Sequence, residues 1–123
     1  MTEKPRIQIK ITELKKQYPR PVRAALWMTG DYCVGGAFCL AVHARLDSVD
    51  HMHFPSGYEL FRAVLEARGI ERDLLPDEDY DKMMNLADGV TKANDVGSFG
   101  IAWKLLGRLL NTKARQQMPP EES

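Results

Sequence analysis

The side chains in this 123-residue chain with the types and spacing to do chemistry are Cys33, Cys39, His43, His51, His53, Asn94 and Asp95. Cys33 stands just ahead of an apolar, small-residue stretch, Val34 to Leu46. A thiol at a helix N-terminus has its thiolate stabilised by the helix dipole, which is how reactive cysteines are often made. With His43, His51 or His53 as base and Asn94 or Asp95 to orient it, Cys33 would become a nucleophile. No local cysteine-hydrolase signature surrounds it, and free cysteine is among the most buried residue types. The plainer expectation is therefore a small, semi-buried residue at a crowded helix start.

Cys39 and His43 are four residues apart, on one face of the same helix, and His51 and His53 follow eight residues on. All four side chains are competent zinc ligands. Their spacing, Cys-x3-His-x7-His-x-His, matches no standard finger, and Cys39 sits where a core thiol is expected. No metal and no cofactor are assigned. Asn94 and Asp95 are turn-forming residues that bond nearby backbone. A calcium loop is excluded because Val96, Gly97, Ser98 and Phe99 supply no alternating oxygen ligands. A structural tie between this loop and the start of the central helix is expected, with binding or catalysis as the alternative. Gly35-Gly36 follows no strand and lacks the spacing of a phosphate-binding loop.

These residues are positioned by a series of helical patterns. Ile7, Ile9 and Ile11 alternate with polar residues, yet Ile7, Ile11, Leu14 and Tyr18 also share a helical face. No other stretch offers a partner strand, so a helix from about residue 9 is expected, with 6–11 extended as the alternative. The prolines at 19 and 21 break it, and Pro21 opens a short helix ending at Met28 before Gly30. Residues 34–46 are apolar or small on nearly every face, the pattern of a helix inside a bundle. Two adjacent glycines there cost roughly 1 kcal/mol each relative to alanine, so packing or function must offset them.

Residues 47–54 read as a polar connection. Ser56 and Glu59 form a capping box for a helix that buries Leu60, Phe61, Val64 and Leu65 and stops at Gly69-Ile70. After Pro76, the acids Asp77, Glu78, Asp79 and Asp81 suit a helix N-terminus, followed by Tyr80, Met83, Met84, Ala87 and Val90 at helical spacing. Asn94 to Gly97 interrupts, and Ser98 caps a last helix with the stripe Phe99, Ala102, Trp103, Leu106, Leu109 and Leu110. Among the aromatics, Trp27, Trp103 and Tyr58 are interface candidates, with Trp103 expected in the core.

Two islands resemble a group of small, uncharacterised bacterial and phage domains. One runs from Trp27 through Met28, Thr29, Gly30, Asp31, Tyr32, Cys33, Val34, Gly35 and Gly36 to Ala37. The other is Ala93-Asn94-Asp95 with Ser98 opening an apolar helix. That group is marked by a Cys-x-x-Gly-Ala helix start and a later Asn-Asp pair before the terminal helix. This chain departs from it in having Gly36 beside Gly35 and an N-terminal segment without a counterpart. The resemblance implies a helical fold and draws attention to Cys33, Gly35, Asn94 and Asp95. It brings no activity, cofactor or substrate.

The bulk properties limit the function. Hydrophobic residues make up 44% and charged residues 28%, an ordinary globular balance. No apolar run approaches a membrane span and no secretory signal is visible. Cys33 and Cys39, about 9 Å apart along a helix, are beyond disulfide reach. A reducing cytoplasm is the expected location. Net charge is zero but unevenly spread. Residues 1–23 hold seven bases against two acids, while 46–95 hold twelve acids against five bases. Without a recognition helix rich in Arg, Asn and Gln, nucleic acid is not an expected partner, and neither is a membrane.

The expected fold class is all-α: an orthogonal bundle of five or six short helices around a buried central helix at about 34–46. Residues 1–112 form one domain, and 113–123 read as a disordered tail. The expected function is non-enzymatic, a protein-interaction or self-associating module whose partner is another protein or a second copy (a homo-oligomer). The alternative is a thiol- or metal-dependent enzyme using Cys33 or the Cys39/His43/His51/His53 cluster.

Overall fold

The computed structural model describes residues 7–19, 21, 33–46 and 57–112. Among them the chain is an all-α bundle of five helices: α1 (Ile11–Gln17), α2 (Val34–Leu46), α3 (Gly57–Arg68), α4 (Asp77–Asp95) and α5 (Phe99–Asn111). A single 3-10 turn, Arg72–Leu74, links α3 to α4. No helix among the described residues is long and apolar enough to cross a membrane. The expected helix at 21–28, the connection at 47–54, the Ser56 cap, Trp27 and the 113–123 tail lie outside the described residues.

Two helices end in the same way, for the same reason. Gly69 and Gly97 both have positive φ, 72° and 81°, a conformation glycine adopts without steric cost. At the end of α3, Gly69 N–H donates to the Glu66 carbonyl and Ile70 N–H to the Leu65 carbonyl. At the end of α4, Gly97 N–H donates to Asn94 and Ser98 N–H to Ala93. Both are Schellman motifs, which satisfy the last carbonyls of a helix. Asn94 and Asp95, expected in an interrupting loop, are therefore the last residues of α4, and the break comes at Gly97. Ser98 takes the N-cap position of α5, but its side chain makes no capping bond.

The expectation of a helix from residue 9 is corrected. Lys10 is the N-cap of α1 with extended backbone (φ −94°, ψ 131°), and Ile7 N–H donates to the Ala67 carbonyl at the end of α3. That tertiary bond draws residues 7–10 out of the helix, so one of the two sequence periods belongs to each side of Lys10.

The core joins every helix. Packing is most extensive between α4 and α5, then between α3 and α4, and α2 touches α3, α4 and α5. Leu60, Phe61 and Val64 of α3, Met83, Ala87 and Val90 of α4, and Ala102, Leu106 and Leu109 of α5 are fully enclosed, and Trp103 is buried. In α2, Val34 to Cys39 and Val42 are buried, whereas Ala44 and Arg45 are exposed. The inner rod is thus enclosed over its first half and surfaces in its second.

α3 and α4 approach each other closely at Gly57. A Cβ there would run into the Asp88 carboxylate and approach the Asp88 Cα to 3.2 Å. The same carboxylate lies at the positive end of the α3 dipole. Gly107, in mid-α5, has open space by comparison, with Ile11 Cγ1 at 3.8 Å. Gly57→Ala is expected to lower stability by about 1–3 kcal/mol through overpacking. Gly107→Ala should raise it by about 0.5–1 kcal/mol, because it removes backbone freedom from the unfolded chain. Urea unfolding of both variants checks the opposite signs.

Candidate functional site

The first turn of α2 is buried, so its amide groups need partners inside the protein. Cys33 is the residue before the helix. Its carbonyl accepts the Ala37 N–H at 2.9 Å, and its Sγ accepts the Gly36 N–H at 3.2 Å. The sulfur occupies the place a serine or aspartate oxygen usually takes in an N-cap. The Val34 N–H donates to Oδ1 of Asn94, at 2.9 Å and sixty residues away. Asn94 is only 2% exposed. The expected tie between the Asn94 region and the start of the central helix is therefore present, made by one side-chain oxygen.

Asp95, the next residue, is exposed, since consecutive helical residues point about 100° apart. The two members of the pair have different surroundings. Asn94 faces inward as a cap, while the Asp95 carboxylate acts on Cys33 through its charge.

The Cys33 thiol has its pKa pushed up from the ordinary 9.0. Burial is the leading cause, and the negative charge of Asp95 adds to it. The amides of Gly36 and Gly35 pull the other way and lose. Cys33 is thus the buried residue at a crowded helix start that the sequence led one to expect, and the alternative of a dipole-activated thiol meets an opposing effect: a few N–H groups do not offset the loss of water around a thiolate. Cys39 is buried in α2 and pushed up still further, mainly by desolvation. Both cysteines are free thiols.

His43 does not complete a catalytic set with Cys33. Ten residues along α2 place it about 15 Å from the thiol along the axis, far outside hydrogen-bond reach. Cys39 and His43 do share a helix face, but among the described residues no group of three or more His, Cys, Asp or Glu side chains is placed to hold a metal ion. His51 and His53 lie outside the described residues. The structure thus gathers Cys33, Asn94 and Asp95 at the junction of α2 and α4, and it separates His43 from them.

Two arrangements escaped the sequence reading. Arg68 is buried, and its Nη1 donates to the Leu109 carbonyl at 3.0 Å and its Nη2 to the Thr112 carbonyl at 2.7 Å. A cation thus closes the C-terminal end of α5, where the dipole favours positive charge. The signal was available: Arg68 continues the inner stripe of Phe61, Val64 and Leu65 at helical spacing.

The second arrangement is on the surface. The Arg72 guanidinium sits 5.6 Å from the Tyr58 ring centre and 5.9 Å from that of Tyr80, and its Nη1 donates to the Tyr58 hydroxyl at 2.6 Å. Arg62 lies 5.9 Å from the Tyr58 ring centre. Below them, Phe61 meets Tyr80 edge-on at 4.9 Å, which anchors the cluster to the core.

Compared with protein-family models, with curated proteins and with solved structures, the chain matches none.

The caps and thiols give two expectations. Asn94→Ala should cost about 1–3 kcal/mol, because a buried N–H loses its acceptor, and should speed hydrogen exchange at Val34 most of all. Alkylation of the native protein by iodoacetamide should be slow near neutral pH and accelerate only above the ordinary thiol range. The linkage has the same sign. Thiols whose pKa is raised by folding contribute stability that is present below pH 9.0 and lost as pH climbs toward their native values. Unfolding measured across alkaline pH should fall accordingly, and Cys33→Ser should flatten part of that fall.

Proposed function

We propose that this chain is a small non-enzymatic module of a bacterial or phage cytoplasm that works by associating with another protein or with a second copy of itself. The observation that carries this reading is the Tyr58–Arg72–Tyr80 cluster. Arg72 is exposed, yet its guanidinium is held by a hydroxyl and flanked by two rings. A side chain already held in place loses little rotamer freedom when a partner covers it. Tyrosine and arginine are also the types over-represented among residues that dominate binding energy.

The thiol- or metal-dependent alternative gains nothing from the site geometry. Cys33 Sγ serves as an acceptor for a backbone amide, and burial holds the thiol in its protonated form.

Light scattering coupled to size exclusion, together with a pull-down from a native lysate, tests the proposal. The expected result is a mass above the monomer or a retained partner, with either weakened about tenfold by Arg72→Ala. A strict monomer that retrieves nothing overturns it.

A further inference from the structure

α1 is held differently from the longer helices. It has seven residues, Leu14 is its buried residue, and Lys10 gives it no side-chain cap. Helices shorter than about 12 residues are marginal in water, so α1 draws its stability from docking rather than from its own turns. Ahead of it, Ile7 and Ile9 are half-buried. One backbone bond, from the Ile7 N–H to the Ala67 carbonyl at 3.1 Å, ties this extended segment to the end of α3. Behind it, Pro19 disfavours helical backbone at Tyr18, which has φ −128° and ψ 69° and ends the unit. By contrast, α2 to α5 pack on one another. Their polar junctions do not pass through α1: Asn94 joins α4 to α2, and Arg68 joins α3 to the last carbonyls of α5.

We infer that residues 7–18 form a strap that opens and closes as one unit while α2 to α5 stay folded. Docking and helix formation are coupled within it. The helix is what turns Ile11 and Leu14, three residues apart, to one side. Once Leu14 leaves its seat, a seven-residue helix has too few turns to persist. Its unwinding releases the Lys10 carbonyl, which accepts from Glu13 and Leu14, and with it the extended segment back to Ile7. What the strap covers is the side of α5 at Gly107, where Ile11 Cγ1 stands 3.8 Å from the position of a Cβ. Opening joins that side to the half-open groove of about 550 Å³ bordered by Ala67, Arg68, Leu110 and Asn111. The strap thus sets how much of the α5 surface is accessible. This device is independent of the association proposed above, because no residue of the Tyr58–Arg72–Tyr80 cluster belongs to the strap or the groove.

Amide hydrogen exchange of the full chain in low urea, under conditions where closing outpaces exchange, tests the inference. The Ile7, Leu14 and Tyr18 amides, bonded to the Ala67, Lys10 and Leu14 carbonyls, report the strap. The amides of Val90 in α4 and Leu106 in α5 report the rest of the bundle. The three strap amides are expected to share one protection factor, about a hundredfold or more below that of Val90 and Leu106. They should depend only weakly on urea, because little surface is exposed when they open. Leu14→Ala should remove the strap's protection. It should lower that of Val90 and Leu106 by no more than the strap's own factor in the unaltered chain, since an open strap has nothing further to lose.

Equal protection and equal urea slope for strap and bundle amides overturn the inference, because the chain would then open only as a whole. So does exchange at Tyr18 far ahead of Ile7, which is fraying from one end. A Leu14→Ala chain that unfolds altogether, or a larger fall at Val90 and Leu106, overturns it as well.

Discussion

Every helix leaves amides at one end and carbonyls at the other without partners in its own turn, and burying such an end is tolerable only if something inside the protein bonds to it. In this molecule that constraint falls on the start of α2 and the end of α5. One is met by Asn94 and the Cys33 sulfur, the other by Arg68. Each distant cap comes from another helix, so forming the cap and docking the helices are a single event. The bundle depends on α4 in particular. It packs against α2, α3 and α5, sets Asn94 at the head of α2, and lays the Asp88 carboxylate at the head of α3.

This use of polar groups sets the surroundings of Cys33 and Asn94. The Asn94 oxygen is held by the buried Val34 amide at the start of α2. A sulfur enclosed among apolar helices remains a thiol, since a thiolate there would give up hydration that two or three amides do not replace. Asp95 adds to that by standing near Cys33 with the wrong sign of charge. The axial rise of α2 does the rest, carrying His43 well away from the thiol.

What remains chemically distinctive is on the outside. Arg72 between two tyrosines is a cation held in place before any partner arrives, and Val96 and Ile101 are large apolar residues left 67% and 56% exposed at the α4–α5 corner. The extended Ile7–Lys10 segment is tied to the bundle at both ends, through the Ile7 amide and the Lys10 carbonyl.

The sequence by itself determined the elements and their inward faces. The stripe of α5, the acids opening α4 and the glycine stop of α3 are local patterns, set by side-chain period and backbone sterics within a few residues. The limits of α2 at 34 and 46 were legible for the same reason. Tertiary structure decided everything that depends on a bond between distant residues. Ile7 pairs with Ala67, so the N-terminal segment is extended where its own pattern allowed a helix. Asn94 belongs to a helix because Gly97, not Asn94, takes the left-handed turn, and its inward direction follows from that. Whether Cys33 is activated or suppressed was likewise not a local matter. Dipole and burial oppose each other, and only the packing of α2 against its neighbours tells which is larger.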